Sequence, residues 1–269
     1  MDTPVLHVVD AGSGLPLVLL HGLTATHRYV VMGSRALERA DHRVIAFDAR
    51  GHGASAPAAL PEDYGYDALT ADLLRVLDDC GVDRAVLVGA SMGAHTALRA
   101  ALERPERVAG LVVITPAFDE RSHLDPAVLA RWDALSAGLR AGGVDEFVHA
   151  YGPPAGDTRW AETIERVLRQ RLSAHEHPDA VADALMHVPR SAPFAAIAEL
   201  EQIAVPTLVV GDQDDPDPGH PLAVAQAYAA AIPGAQLVVE EPGASPIPWQ
   251  GGQLSALIAE LAARAAWNG

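Results

Sequence analysis

Ala85-Val86-Leu87-Val88-Gly89-Ala90-Ser91-Met92-Gly93 is the stretch on which the reading of this chain turns. Its first four residues are apolar without interruption, which suits a short strand buried on both faces. A glycine closes the run, and residues 91–103 then carry a helical pattern that stops ahead of Pro105. Placed between a strand and a helix, G-x-S-x-G specifies a strained turn that exposes a serine hydroxyl. The flanking glycines let neighbouring elements approach that crowded turn, and the following helix aims the positive end of its dipole at charge developing beside it. Ser91 is the candidate nucleophile.

Outward from that turn, apolar and β-branched runs at residues 5–9, 17–20, 44–47, 85–88, 111–114, 207–210 and 237–239 read as strands. Helical patterns separate most of them, as at residues 66–79, where Leu69, Leu73, Val76 and Leu77 share one face. Strand and helix alternate, so the fold class is α/β, with a mainly parallel sheet covered by helices on both faces. The alternation lapses over residues 119–200, which hold helical patterns at 126–140, 160–172 and 178–186 but no convincing strand. That segment is read as a helical lid inserted into a core of residues 1–118 and 201–269.

Composition removes several classes of function. The 269 residues carry a formal net charge of −16, which leaves no basic footprint for nucleic acid or an anionic membrane. Every basic residue is arginine, so a lysine Schiff base or lysine general base is excluded. The single cysteine, Cys80, supports neither an internal disulfide nor a thiolate-rich metal site. The chain opens Met1-Asp2-Thr3-Pro4 without a positive flank or signal-length apolar core, and no apolar run is long enough to span a bilayer. A cytoplasmic protein with a small-molecule substrate, no cofactor and no metal is the expectation; oligomeric state is not readable.

Leu19-Leu20-His21-Gly22-Leu23 closes an earlier strand. The backbone N–H of Leu23 and that of Met92, the residue after the nucleophile, are the expected oxyanion hole for a tetrahedral intermediate. His21 is read as shaping that loop rather than as catalytic.

His21-Gly22, the segment Asp48-Ala49-Arg50-Gly51-His52-Gly53-Ala54-Ser55 and Gly89-Ala90-Ser91-Met92-Gly93 together resemble the α/β-hydrolase superfamily. More narrowly, they resemble its lidded esterase, enol-lactonase and cofactor-free haloperoxidase-like branch. The resemblance implies an α/β-hydrolase fold and makes Arg50 and His52 parts of a supporting loop. It also implies an acid in the turn after the strand that follows the lid, which assigns Asp214, within Gly211-Asp212-Gln213-Asp214. A carboxylate there fixes the tautomer of a neighbouring imidazole and stabilises its cation. Asp212, Asp215 and Asp217 are read as loop and helix-capping residues.

The departure from the family pattern is the general base. The turn after the last strand reads Glu241-Pro242-Gly243-Ala244-Ser245-Pro246, and Pro246 stands where the resemblance implies histidine. The chain has 12 histidines and none follows His220. Without a base a serine hydroxyl is a poor nucleophile, and the leaving group lacks a proton donor. Three readings stay open. His220, six residues beyond Asp214, is a displaced base, although a pocket-lining or helix-start role weighs more. Alternatively a lid histidine, His123, His149, His175, His177 or His187, descends onto Ser91. Lastly, the chain is a non-hydrolytic lyase or cyclase, or a ligand-binding pseudoenzyme. His95, one helical turn beyond Ser91, points into the layer beneath the serine and is set aside. The sequence thus predicts a weak or atypical esterase with no histidine joining Ser91 to Asp214 in the usual geometry.

Overall fold

Parallel strands buried on both faces need two apolar layers, and alternate residues of each strand serve them in turn. The computed structural model describes residues 3–153, 160–213 and 219–267. Its strands are β1 (Val8–Gly12), β2 (Leu15–Leu20), β3 (His42–Phe47), β4 (Ala85–Ala90), β5 (Val108–Ile114), β6 (Thr207–Gly211) and β7 (Gln236–Val239). They form one sheet in the order β1-β3-β2-β4-β5-β6-β7, with β1 antiparallel to β3 and the other pairs parallel. The helices are α1 (Ala36–Arg39), α2 (Tyr66–Asp79), α3 (Met92–Glu103), α4 (Pro126–Tyr151), α5 (Ala161–Leu172), α6 (Pro178–His187), α7 (Leu222–Ala231) and α8 (Gly251–Trp267).

Val18, Leu20, Leu87 and Val113 face one layer, closed by α2, α3 and α7 through residues such as Leu73, Leu98 and Tyr228. Leu17, Leu19, Val86, Val88 and Val112 face the other, closed by α1 and α8 through Leu37, Leu254, Ile258 and Leu261. No helix among the described residues is long and apolar enough to cross a membrane.

The first strand departs from expectation. It occupies Val8–Gly12 rather than residues 5–9, and Val5 is 79% exposed. Residues before β1 bond the 48–56 loop instead of a strand, Asp48 N–H donating to His7 O and Ala56 N–H to Val5 O. The chain then crosses the start of β3 to reach its other edge, because β1 and β2 both pair with β3. Only glycine fits that crossing: a Cβ at Gly12 would lie 2.3 Å from His42 O, and one at Gly14 2.2 Å from Asp41 O.

Between β5 and β6 the inserted helices build a small core of their own. Leu135, Leu139 and Phe147 of α4 meet Leu168 and Leu172 of α5 and Val181 and Leu185 of α6. α4 runs past the expected end near residue 140 after a break at Gly142 and Gly143, whose φ of 66° leaves the helical region. Apolar and ring contacts help seat this layer on the sheet's carboxyl edge. Ala180, Ala184 and Val188 pack with Tyr66, Leu69 and Met92, and Trp160 meets Trp249 edge-on at 5.9 Å.

Candidate active site

Ser91 occupies the turn from β4 to α3 with φ 49° and ψ −112°, outside the ordinary basins of a residue with a Cβ. Such a conformation costs roughly 1–3 kcal/mol and persists because the surroundings over-determine it. Its N–H donates to Ile114 O at 2.9 Å, continuing the bonding to β5, while its carbonyl accepts His95 N–H at 3.0 Å as the first bond of α3. The flanking glycines are required sterically. A Cβ on Gly89 would lie 2.3 Å from Gly93 O, and a Cβ on Gly93 2.2 Å from Leu20 O. Ser91 itself is half-buried.

The loop after β2 lies against this turn. A Cβ built on Gly22 would sit 3.5 Å from Ser91 Cβ and 3.4 Å from Ala90 O. Leu23 therefore follows the residue that abuts the serine turn, and Met92 opens α3, where backbone N–H groups have no helical acceptor. His21 uses both ring nitrogens on backbone: Nδ1–H donates to Gly22 O at 2.8 Å, and Nε2 accepts Ala49 N–H at 2.9 Å. Burial pushes it down to about 4, so the ring is neutral and acts as a brace between the loops after β2 and β3.

The second brace is Arg50, whose guanidinium bonds both oxygens of buried Asp72 at 2.7 and 2.9 Å and also donates to Asp63 O. His52, 1% exposed, has Nδ1 on Arg50 O at 3.0 Å. Both residues thus fasten the 48–55 loop.

His95 lies beneath the serine. Its Nε2 accepts the N–H groups of Ala117 and Phe118, each at 3.1 Å, and Nδ1 lies 2.9 Å from Tyr66 Oη. Burial, with a smaller contribution from the nearby His220, holds it down to about 3. Among the inserted segment's histidines, His175 accepts Gly53 N–H at 2.8 Å and reaches Thr24 O at 3.0 Å, while the His123 ring meets Phe118 at a tilt, 5.0 Å between centroids.

His220, at the entrance to α7, is the histidine that meets the serine: its Nε2 lies 2.9 Å from Ser91 Oγ. From the sequence a pocket-lining or helix-start role carries more weight for His220; the structure sets its ring within hydrogen-bonding distance of the Ser91 hydroxyl. The reason is topological. β6 is adjacent to β5, one strand from β4, so the end of β6 lies close to the serine turn along the same edge of the sheet. Asp214, Asp215 and Asp217 lie outside the described residues. Pro246 caps a short 3-10 turn, Ile247–Trp249, with φ −50°.

Sequence reasoning passed over Glu240. This carboxylate, 5% exposed, accepts Gln213 N–H at 2.5 Å on Oε1 and Ile247 N–H at 3.1 Å on Oε2. It ties the loop after β6 to the turn beginning at Pro246. Its place directly after the apolar run 237–239 was the available signal.

A serine on a strained strand-to-helix turn, glycines demanded by backbone contact and a histidine 2.9 Å from its hydroxyl are features of the α/β-hydrolase class. The chain belongs to the α/β-hydrolase fold family, whose pattern matches residues 16–251. It is 31% identical, over 87% of its length and 90% of the relative's, to a protein of Pseudomonas savastanoi pv. phaseolicola named as a carbamate hydrolase, RutD. An esterase from Thermogutta terrifontis superposes with a TM-score of 0.77 at 26% identity, covering 97% of this chain and 93% of that one. Est816, described as an N-acyl homoserine lactone degrading enzyme, gives 0.76 at 25% identity, covering 97% and 98%. Relatives of this kind are hydrolases.

Proposed function

We propose that this chain is a serine hydrolase of small carboxyl esters, lactones or related acyl compounds, with Ser91 as nucleophile and His220 as a displaced general base. The single observation that carries the reading is the 2.9 Å approach of His220 Nε2 to Ser91 Oγ. With Nε2 unprotonated, the Ser91 O–H donates to it, and the proton passes to the ring as Oγ attacks the acyl carbon. The same proton then goes to the leaving oxygen, and water repeats the cycle to release the acid. Asp214, six residues before His220, takes the role of acid, and the N–H groups of Leu23 and Met92 that of oxyanion hole. The helices of residues 119–200 act as the lid over an acyl group. Relatives named for carbamate hydrolysis, as an esterase and for lactone degradation support acyl transfer without fixing the substrate.

Incubation with a fluorophosphonate, mass spectrometry of the Ser91 peptide and hydrolysis of a short-chain activated ester test the proposal together. Labelling and turnover, both lost in Ser91→Ala, are expected. Pro246 at the usual base position motivates the rival reading of a lyase, cyclase or ligand-binding pseudoenzyme. An unlabelled Ser91 with no turnover would favour that rival.

A further inference from the structure

Beside the β2 loop, outside the Ser91–His220 pair, two histidines converge on a carboxylate. One oxygen or ring nitrogen from each of His7, His27 and Asp48 lies within 4.8 Å of the others. We propose that these three residues bind a single divalent transition cation of the zinc class. Two imidazoles and one carboxylate suit zinc, cobalt, nickel or copper, whereas magnesium and calcium take oxygen ligands.

The geometry is close to what such an ion needs. His27 Nδ1 stands 2.9 Å from Asp48 Oδ1, and ligand atoms on adjacent corners of a zinc tetrahedron with bonds near 2.0 Å are about 3.3 Å apart. Binding through Nδ1 leaves the ring proton of His27 on Nε2. The His7 and His27 ring centroids lie 5.2 Å apart, and a ring nitrogen of each lies within 4.8 Å of a carboxylate oxygen of Asp48.

The backbone holds these residues together independently of any ion. Asp48 N–H donates to His7 O at 3.0 Å and His27 N–H to Asp48 Oδ1 at 2.8 Å. His7 N–H donates to Ser55 Oγ, whose hydroxyl donates to Asp48 O at 2.6 Å. The far oxygen of the carboxylate accepts Ala54 N–H at 3.2 Å, so the ligand is itself oriented by a second layer of bonds. A cation here pins the loop from Gly22 to His27 to the end of β3. The ligands come from three separate stretches of chain with no metal-binding spacing, which is why the sequence alone led to the expectation of no metal.

The test uses the full chain, stripped with chelator, in equilibrium dialysis against zinc chloride, with a parallel cobalt titration read by visible d–d absorption. One zinc per chain is expected, with affinity at least about tenfold weaker in His7→Ala and in His27→Ala, and the cobalt bands lost in both. Circular dichroism checks that each variant folds. Should one fail, the other carries the comparison, because neither substitution removes the backbone bonds. Absence of binding by the unmodified chain, or equal affinity in a folded variant, would overturn the assignment.

Discussion

His220 Nε2 stands 2.9 Å from Ser91 Oγ although 129 positions separate them in the chain. If that contact is the base, its removal costs as much as removal of the nucleophile, because members of such a unit act together. We expect His220→Ala to lower kcat/KM on an activated ester by about 10³-fold or more, and the double variant with Ser91→Ala to fall no further. Steady-state kinetics on one ester suffices. Activity that survives His220→Ala but not Ser91→Ala would send the search back to the inserted segment's histidines.

Pro246 has a structural part of its own. It opens the Ile247–Trp249 turn, and its carbonyl accepts Trp249 N–H at 3.0 Å. Pro246→His in the otherwise unmodified chain should therefore change kcat/KM by less than about threefold, under about 1 kcal/mol of barrier. A tenfold gain would show that the usual position outperforms His220.

Gly93 offers a purely steric test of the serine turn. The added methyl of Gly93→Ala would sit 2.2 Å from Leu20 O, backbone that cannot swing aside. We expect a loss of roughly 1–3 kcal/mol in urea denaturation, with slowed fluorophosphonate labelling as the turn shifts. Unchanged stability and labelling would contradict the close packing of β2 on α3.

The Arg50 and Asp72 side chains are 4% and 3% exposed, so their pairing is little screened by solvent. Asp72→Ala strands a buried guanidinium, for which breaking a buried pair typically costs about 3–5 kcal/mol. Arg50→Met with Asp72→Leu should recover most of the loss, since two apolar groups leave no charge behind. Chemical denaturation of these two variants beside the unmodified chain reads both effects.

The fold was legible because strand period, glycine spacing and helix lengths agreed at every level, as at residues 85–103, where each feature demanded the same turn. The first strand was misplaced because Val5 and Leu6 look like strand residues, while pairing is decided by where Gly12 and Gly14 allow the chain to cross β3. Ser91 was legible from a local pattern. His220 was visible only as a candidate, because its approach to the serine depends on the adjacency of β4, β5 and β6, a long-range fact that no local spacing encodes. Glu240 and the His7, His27, Asp48 group were missed for the same reason: each joins segments far apart in the chain.

Acid should expose the cost of burying neutral imidazoles. His21 is held down to about 4 and His95 to about 3, against an ordinary value near 6.5 in the unfolded chain. Between those values the unfolded state binds protons that the folded state refuses, so stability rises with pH across that window. The contribution is fully present above about pH 6.5 and is lost as pH falls toward the folded values, on the order of 3 kcal/mol for His21 by the usual conversion of pKa into free energy. Replacing one such ring should flatten that dependence. His95→Gln keeps a side-chain acceptor for the N–H groups of Ala117 and Phe118 while removing the titrating group. Its unfolding free energy, measured by urea at intervals from pH 4 to 7, should show a slope smaller by up to one proton than that of the unmodified chain. Parallel slopes would mean that His95 takes up its proton without unfolding the protein, and that its burial is relieved by local opening of the layer beneath Ser91.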